Sequence, residues 1–110
     1  MITDLSYLKT MSEGDKNFIA EMISIFKEQV LEYQAMMPDL LAAGDFINLS
    51  KLAHKAKSSV AVMGMTDTAE LLRELQIVAA EKDDKSEIPG FVDKFIGDCN
   101  LALTELETYT

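Results

Sequence analysis

Hydrophobic and polar positions follow helical periods along most of the chain. From Asn17 onward an apolar side chain recurs every three or four residues, the spacing that lines one face of an α-helix. This stripe comprises Phe18, Met22, Phe26, Val30, Tyr33 and Met37, widened by Ile19, Ile23 and Ile25. A short helix around Asp4 to Lys9 precedes it, and we expect Ser12 or Asp15 to cap the long helix. Pro38 either kinks this helix or restarts it.

Small and polar residues divide the rest of the chain into further helices. Gly44 and Asp45 are typical of a C-terminal glycine followed by an N-cap, so the next helix should run from Asp45 to Met63. Gly64 then ends it, and we expect the pair Thr66 and Asp67 to cap the following helix. The charged run 81–86 predicts a solvated loop, and Pro89 suits the first turn of a last helix. The pattern predicts an all-α fold, an antiparallel four-helix bundle with a short additional N-terminal helix, forming one domain over residues 1–110.

Composition and charge narrow the classes of partner. The chain has 19 acidic and 10 basic side chains, and its net charge of −9 would repel nucleic acids and anionic membrane surfaces. Cys99, the single cysteine, permits no internal disulfide. Neither a signal peptide nor a membrane span is visible in the sequence. We therefore expect a cytoplasmic, monomeric protein without nucleic-acid or membrane partners.

His54 is the one histidine of the chain and the main candidate for chemistry. The sequence lacks the common nucleotide-binding and metal-binding motifs, so no competing site stands out. On a helical wheel His54 points nearly opposite to the predicted core side, so its imidazole should reach solvent. The residues predicted for that core side are Leu49, Leu52, Ala53, Ala56, Ser59, Val60 and Met63.

The surroundings of His54 suit an anion that is held where another protein docks. Ile47, His54 and Ala61 are seven residues apart and share a face, with Ser58 and Val62 beside them. Three of the ten basic residues also lie near His54, namely Lys51, Lys55 and Lys57. An anion on His54 would gain from Lys57 at i+3, while the small Ala61 and Ser58 allow close approach.

Antiparallel pairing about Gly64 and Met65 places Gln76 level with His54 and Arg73 level with Lys57. The amide of Gln76 could then accept a hydrogen bond from one imidazole nitrogen and leave the other free, and Arg73 would extend the positive rim.

Each feature has an ordinary interpretation as well. A lone exposed histidine is most often a plain surface residue, and neighbouring lysines are most often a solvated face.

The stretch 53–64, AHKAKSSVAVMG, resembles the signature of histidine phosphotransfer (HPt) domains, approximately A-H-x-L-K-G-[SA]-[SA]-x-x-[LM]-G. This resemblance implies that His54 is phosphorylated, that Lys57 helps to hold the phosphoryl group, and that Gly64 belongs to the turn ending the helix. The sequence departs from the signature at Ala56, where leucine is usual, and at Ser58, where glycine is usual.

The resemblance implies a phosphoryl carrier in a multistep two-component phosphorelay, without an ATP site or a cofactor of its own. A phosphoryl group would pass from a receiver-domain aspartate to His54 and on to another receiver, with Mg²⁺ supplied by the receiver. The expected partners are receiver domains of response regulators or hybrid histidine kinases. One alternative is a non-phosphorylated adaptor or dimerisation module that uses the patch of Ile47, Ala61 and Val62. A kinase dimerisation module that autophosphorylates fits poorly, because no ATP-binding segment is present.

Overall fold

A computed structural model describes residues 1–109, with the backbone alone described at Tyr109. Over these residues the chain forms five α-helices and a terminal 3-10 turn, and no strand. The helices are α1 (Ser6–Met11), α2 (Lys16–Ala43), α3 (Phe46–Val62), α4 (Thr66–Glu81) and α5 (Ile88–Leu106), followed by the turn Glu107–Tyr109. Contacts join α2 to α3, α3 to α4, α4 to α5 and α5 back to α2. The predicted all-α, antiparallel four-helix bundle with a short N-terminal helix is confirmed.

Capping residues explain where the first two main helices begin and end. The Asp15 carboxylate accepts hydrogen bonds from the amides of Asn17 and Phe18 at the start of α2. Gly44 ends α2 with a φ of 68°, and the Asp45 carboxylate accepts from the amide of Asn48 at the start of α3. These predicted caps are confirmed.

The start of α4 differs from the prediction. Met65 occupies the N-cap position without a side-chain hydrogen bond, and Thr66 is the first residue of the helix. Met65 is fully buried, so packing rather than a capping hydroxyl holds this tight turn. Asp67 does lie in the first turn, where a negative charge interacts favourably with the helix dipole.

The helix α2 runs without interruption through Pro38, and its buried stripe is shifted from the predicted one. Its buried residues are Ile19, Ile23, Phe26, Val30, Tyr33 and Met37. Phe18 and Met22 are half-buried and pack at the edge of the core, whereas Ile25 is 42% exposed. The assignment of Ile25 to the core was wrong. Ile25 follows Ile23 by two residues, a rotation of more than half a turn, and it therefore points away from the core face.

The segment before α1 is tied to the turn between α3 and α4. The amide of Asp4 donates to the Met63 carbonyl at 2.9 Å, and the Asp4 carboxylate accepts from the amide of Ser6 at 2.9 Å. The Glu105 carboxylate, on α5, accepts from the amides of Ile2 and Thr3. The helix α1 starts at Ser6 rather than at the predicted Asp4, which lies before the helix and accepts from the Ser6 amide.

The charged run 81–86 is exposed as predicted, except at Lys85, which is half-buried. The Lys85 ammonium donates to the carbonyls of Val78 and Ala79 at 3.2 and 3.0 Å, and it lies 5.4 Å from the centroid of the Phe46 ring. Lys85 therefore supplies donors to carbonyls in the last turn of α4, including that of Val78, which also accepts from the amide of Lys82. Within the described part of the chain, none of the helices combines the length and apolar character that crossing a membrane requires.

Candidate functional site

His54 lies on the outer face of α3 and is exposed, as the helical wheel predicted. The opposite face of α3 is buried, mainly against α4 and α2, and at its centre Ala53 and Ala56 are completely inaccessible to solvent. Alanine at both positions leaves little side-chain bulk between α3 and α4, which pack most extensively against each other. The imidazole is therefore carried on a helix whose opposite face is packed into the core.

Gln76 on α4 contacts the imidazole directly. Its Oε1 atom lies 3.3 Å from Nδ1 of His54, in the position that the antiparallel register predicted. The Ser50 hydroxyl donates to the backbone carbonyl of Gln76 at 2.9 Å, which joins α3 to α4 at the same level. A proton on Nδ1 would donate to the Gln76 amide oxygen, and Nε2, on the far side of the ring, would then hold a lone pair directed away from α4.

The basic residues near His54 differ in their partners. Lys55 forms an ion pair with Glu32 of α2 at 3.6 Å, while Lys51 is exposed and Lys57 is half-buried. Among the described residues, Lys51 and Lys57 make no hydrogen bond or ion pair. They are therefore the two predicted lysines whose ammonium groups are not held by a carboxylate.

Arg73 does not extend a free positive rim as predicted. Its guanidinium is hydrogen-bonded to the Glu70 carboxylate one turn earlier on α4. This hydrogen bond lowers the pKa of Glu70 and raises the pKa of Arg73, and the charge of Lys57 lowers the pKa of Glu70 further. The prediction was wrong because it considered the level of Arg73 along the bundle but not the carboxylate at i−3.

The predicted docking residues share one surface, which we call the His54 face: Ile47, His54, Ser58, Ala61 and Val62. Ile47 is 70% exposed, Ser58 and Ala61 are exposed, and Val62 is half-buried. Ile47 precedes His54 by about two helical turns, and an apolar side chain this exposed is available to a partner. Contact between these residues and a partner protein stays a prediction.

The helix α2 contributes a second side to this surface, which the sequence analysis missed. Ile25 and Met36 are 42% and 40% exposed, and they line two grooves between α2 and α3. The groove of about 220 Å³ includes Ile25, Ser58 and Val62, and the groove of about 380 Å³ includes Met36. A signal was present, because Ile25, Gln29, Glu32 and Met36 recur at helical spacing outside the core stripe.

Gly64 lies in the turn that ends α3, as the resemblance implied, but not beside the imidazole. Ten residues of helix place it about 15 Å from His54 along the axis. Its φ is 69°, and a Cβ built on it would meet the backbone of Asp4. Gly64 therefore accommodates the N-terminal segment and has no contact role at the histidine.

Two other kinds of chemistry find no support at this site. Nowhere in residues 1–109 do three His, Cys, Asp or Glu side chains come together as a metal-binding group. Cys99 is buried in α5, where burial, with a smaller effect of Asp98, raises the pKa of its thiol to about 12.

A helical bundle that presents one exposed, oriented imidazole on a rigid helix belongs to the class of histidine-bearing carrier modules. The family model of the Hpt domain matches residues 21–108, which is most of the chain, and the chain therefore belongs to the Hpt domain family. Hpt domains are phosphocarrier modules rather than kinases; they serve histidine phosphotransfer in phosphorelays and interact with receiver domains. Searches of curated proteins and of solved structures found no significant match.

Proposed function

We propose that this chain accepts a phosphoryl group from the aspartyl phosphate of a receiver domain onto Nε2 of His54 and passes it to the aspartate of another receiver. The observation that carries the proposal is the exposed imidazole of His54, whose Nδ1 lies against the amide oxygen of Gln76. This contact favours the tautomer in which Nε2 is the free nucleophile. The receivers would belong to response regulators or hybrid histidine kinases.

The transfer step balances without an added acid or base. The Nε2 lone pair attacks phosphorus in line, a P–N bond forms, and the P–O bond to the aspartate breaks with its electron pair left on the carboxylate. The proton on Nδ1 stays on the ring and continues to donate to Gln76. Attack by a second aspartate carboxylate reverses the sequence and restores the neutral imidazole. The carrier is thus a reactant that is regenerated in each cycle.

Charge on the phosphoryl oxygens would be offset from both sides of the interface. Phosphoryl transfer depends mainly on positioning and charge neutralisation, which Mg²⁺ held by the receiver supplies on one side. On the carrier side, Lys57 follows His54 by one helical turn and has no carboxylate bound to its ammonium group. Lys57 is therefore the residue that we assign to the phosphoryl group.

Docking would use the His54 face together with the exposed side chains of Ile25 and Met36 on α2. Ile25, Met36 and Ile47 are exposed apolar side chains on different sides of the imidazole, and they would be covered by the receiver. The small side chains of Ser58 and Ala61 leave room for the receiver's phosphorylated aspartate to approach within reach of Nε2.

Labelling with a phosphorylated receiver and Mg²⁺ tests the proposal. We expect stoichiometric, acid-labile label on the wild-type chain and none on His54→Gln, because the amide lacks the nucleophilic nitrogen. ATP alone, as the phosphate donor, should give no label, which separates this function from autophosphorylation. Absence of label on the wild type, or equal label on His54→Gln, would refute it.

Lysine variants test the assignment of Lys57 against a matched control. Lys57→Ala should slow transfer by roughly ten- to a hundredfold, the effect of losing a charge-assisted contact of about 1.5–3 kcal/mol. Lys55→Ala removes an equal charge from the same helix, but one that is paired with Glu32. We expect it to change the rate much less, and equal losses in both variants would mean that only the local charge matters.

The high exposure of Ile47 also suits the alternative of an adaptor or dimerisation module that works without phosphate. That function predicts a partner whose binding is unchanged by His54→Ala and Lys57→Ala but lost in Ile47→Asp. Binding by a phosphorylated receiver that depends on Mg²⁺ and weakens in Lys57→Ala would favour the phosphoryl carrier instead.

A further inference from the structure

The three serines of α3 are used in different ways. Ser50 donates to the carbonyl of Gln76 on α4, and the hydroxyl of Ser59 is hydrogen-bonded to the hydroxyl of Tyr33 on α2 at 2.7 Å. Ser58 is exposed, and among the described residues its hydroxyl has no partner. It does not bond the carbonyl four residues earlier, as Ser12 does to Leu8 at 2.6 Å. Ser58 therefore keeps both its donor and its acceptor capacity.

Ser58 also lies on the side of His54 that the other polar contacts leave open. Gln76 occupies the α4 side of the ring, so Nε2 is directed away from α4. Ser58 follows His54 by four residues, and it lines the groove between α3 and α2 beside Gln29 and Ile25. Helical side chains tilt toward the helix N-terminus, so the Ser58 hydroxyl leans back toward the turn that carries His54.

We propose that the Ser58 hydroxyl donates a hydrogen bond to a phosphoryl oxygen carried on Nε2 of His54 and thereby lengthens the lifetime of the phosphohistidine. The inference rests on the proposed function. Lys57 would hold the phosphoryl group from the α4 side, since its charge acts on the Glu70 carboxylate there, and Ser58 would hold it from the α2 side. No bond is made or broken by Ser58, which only donates.

A hydrogen bond at this position should slow loss of the phosphoryl group. The P–N bond breaks through a loose transition state, and the bonding electrons leave with the imidazole nitrogen. The phosphoryl oxygens therefore carry more negative charge before cleavage than at the transition state, and a donor stabilises the phosphohistidine more. The hydroxyl at this position, where glycine is usual in the signature, would favour a long-lived carrier.

The test uses phosphoramidate as the phosphate donor, so that no receiver is needed. Nε2 of His54 attacks phosphorus and ammonia leaves, after which the donor is removed and the half-life of the adduct is followed by phosphorus NMR. Ser58→Ala should shorten the half-life roughly three- to tenfold, the effect of one modest hydrogen bond. Ser58→Thr keeps the hydroxyl, so the half-life of its adduct should stay within about twofold of the wild-type value. A difference that small is less than the loss of a hydrogen bond would cause.

Ser59→Ala is the matched control, because it removes a neighbouring hydroxyl that is already committed to Tyr33. Its adduct should decay at the wild-type rate. The inference is overturned if Ser58→Ala decays like the wild type, or if Ser59→Ala shortens the half-life equally, since loosening of the helix would then be responsible. Stable adduct on the wild type with no effect of Ser58 would refute this inference alone, whereas no transfer from a receiver to His54 would refute the proposed function.

Discussion

Gly64→Ala is expected to destabilise the protein because the added methyl group has two unfavourable effects. The first is backbone strain, since φ is 69° and an L side chain in this conformation costs about 1–2 kcal/mol. The second is steric, since the new Cβ would lie 2.0 Å from the carbonyl oxygen of Asp4. Relief of that contact requires the N-terminal segment to move.

The structure allows the steric cost to be estimated. Moving Asp4 breaks the hydrogen bond from its amide to the Met63 carbonyl, a loss of about 0.5–1.5 kcal/mol. Adding the strain and subtracting the gain of about 0.4–1 kcal/mol from a stiffer unfolded chain leaves a net loss of about 1–3 kcal/mol. This is a large part of the stability of a domain, typically about 5–15 kcal/mol.

Two other glycines supply matched controls. Gly44 has a φ of 68° but nothing within 4 Å of an added Cβ, so Gly44→Ala should carry the strain alone. Gly97 lies inside α5 with open space around it, and Gly97→Ala should stabilise by about 0.5–1 kcal/mol. Urea unfolding followed by circular dichroism measures all three. A loss in Gly64→Ala no greater than in Gly44→Ala would refute the close approach of Asp4.

Three further predictions concern residues away from His54. Tyr33→Phe should lower the free energy of unfolding by about 0.5–1.5 kcal/mol, because it removes the partly buried hydrogen bond to Ser59; an unchanged urea midpoint would contradict this. Partial burial acts to raise the pKa of Glu105, but hydrogen bonds from Thr3 and from the amide of Ile2 outweigh it and the pKa is lowered. The stability that Glu105 contributes is therefore present above the ordinary glutamate pKa of 4.5 and lost as the pH falls below it. The difference in the free energy of unfolding between the wild type and Glu105→Gln should shrink on acidification. Cys99 should react with a thiol reagent after unfolding but negligibly in the folded protein, where burial raises its pKa to about 12.

Features set by neighbouring residues could be predicted from the sequence. The caps Asp15 and Asp45 and the left-handed Gly44 depend on a few adjacent residues, and so does the exposure of His54. The contact of Gln76 with the imidazole was also predictable, although the two residues are 22 apart. The turn at Gly64 is tight enough that counting outward from it gives the pairing of α3 with α4.

Features set by packing between distant segments could not be predicted in this way. The pairing of α2 with α3 brings Glu32 to Lys55, and it places Ile25 and Met36 at the edge of the His54 face. Only Gly44 and Asp45 separate these helices. The pairs Glu32 with Lys55 and Tyr33 with Ser59 do not share one register sum, so a simple count outward from the turn does not fix the pairing. The passage of Asp4 over Gly64 likewise joins segments 60 residues apart, and no periodicity or capping pattern in the sequence connects them.

Counting the positive residues near His54 overstates the free positive charge of this surface. Lys55 and Arg73 are each held by a carboxylate, at Glu32 and Glu70 respectively. These ion pairs are exposed, so water and salt screen them and each contributes little to stability. Lys51 and Lys57 have no such partner among the described residues, so they are the cations near His54 that a phosphoryl group could bind without displacing a carboxylate.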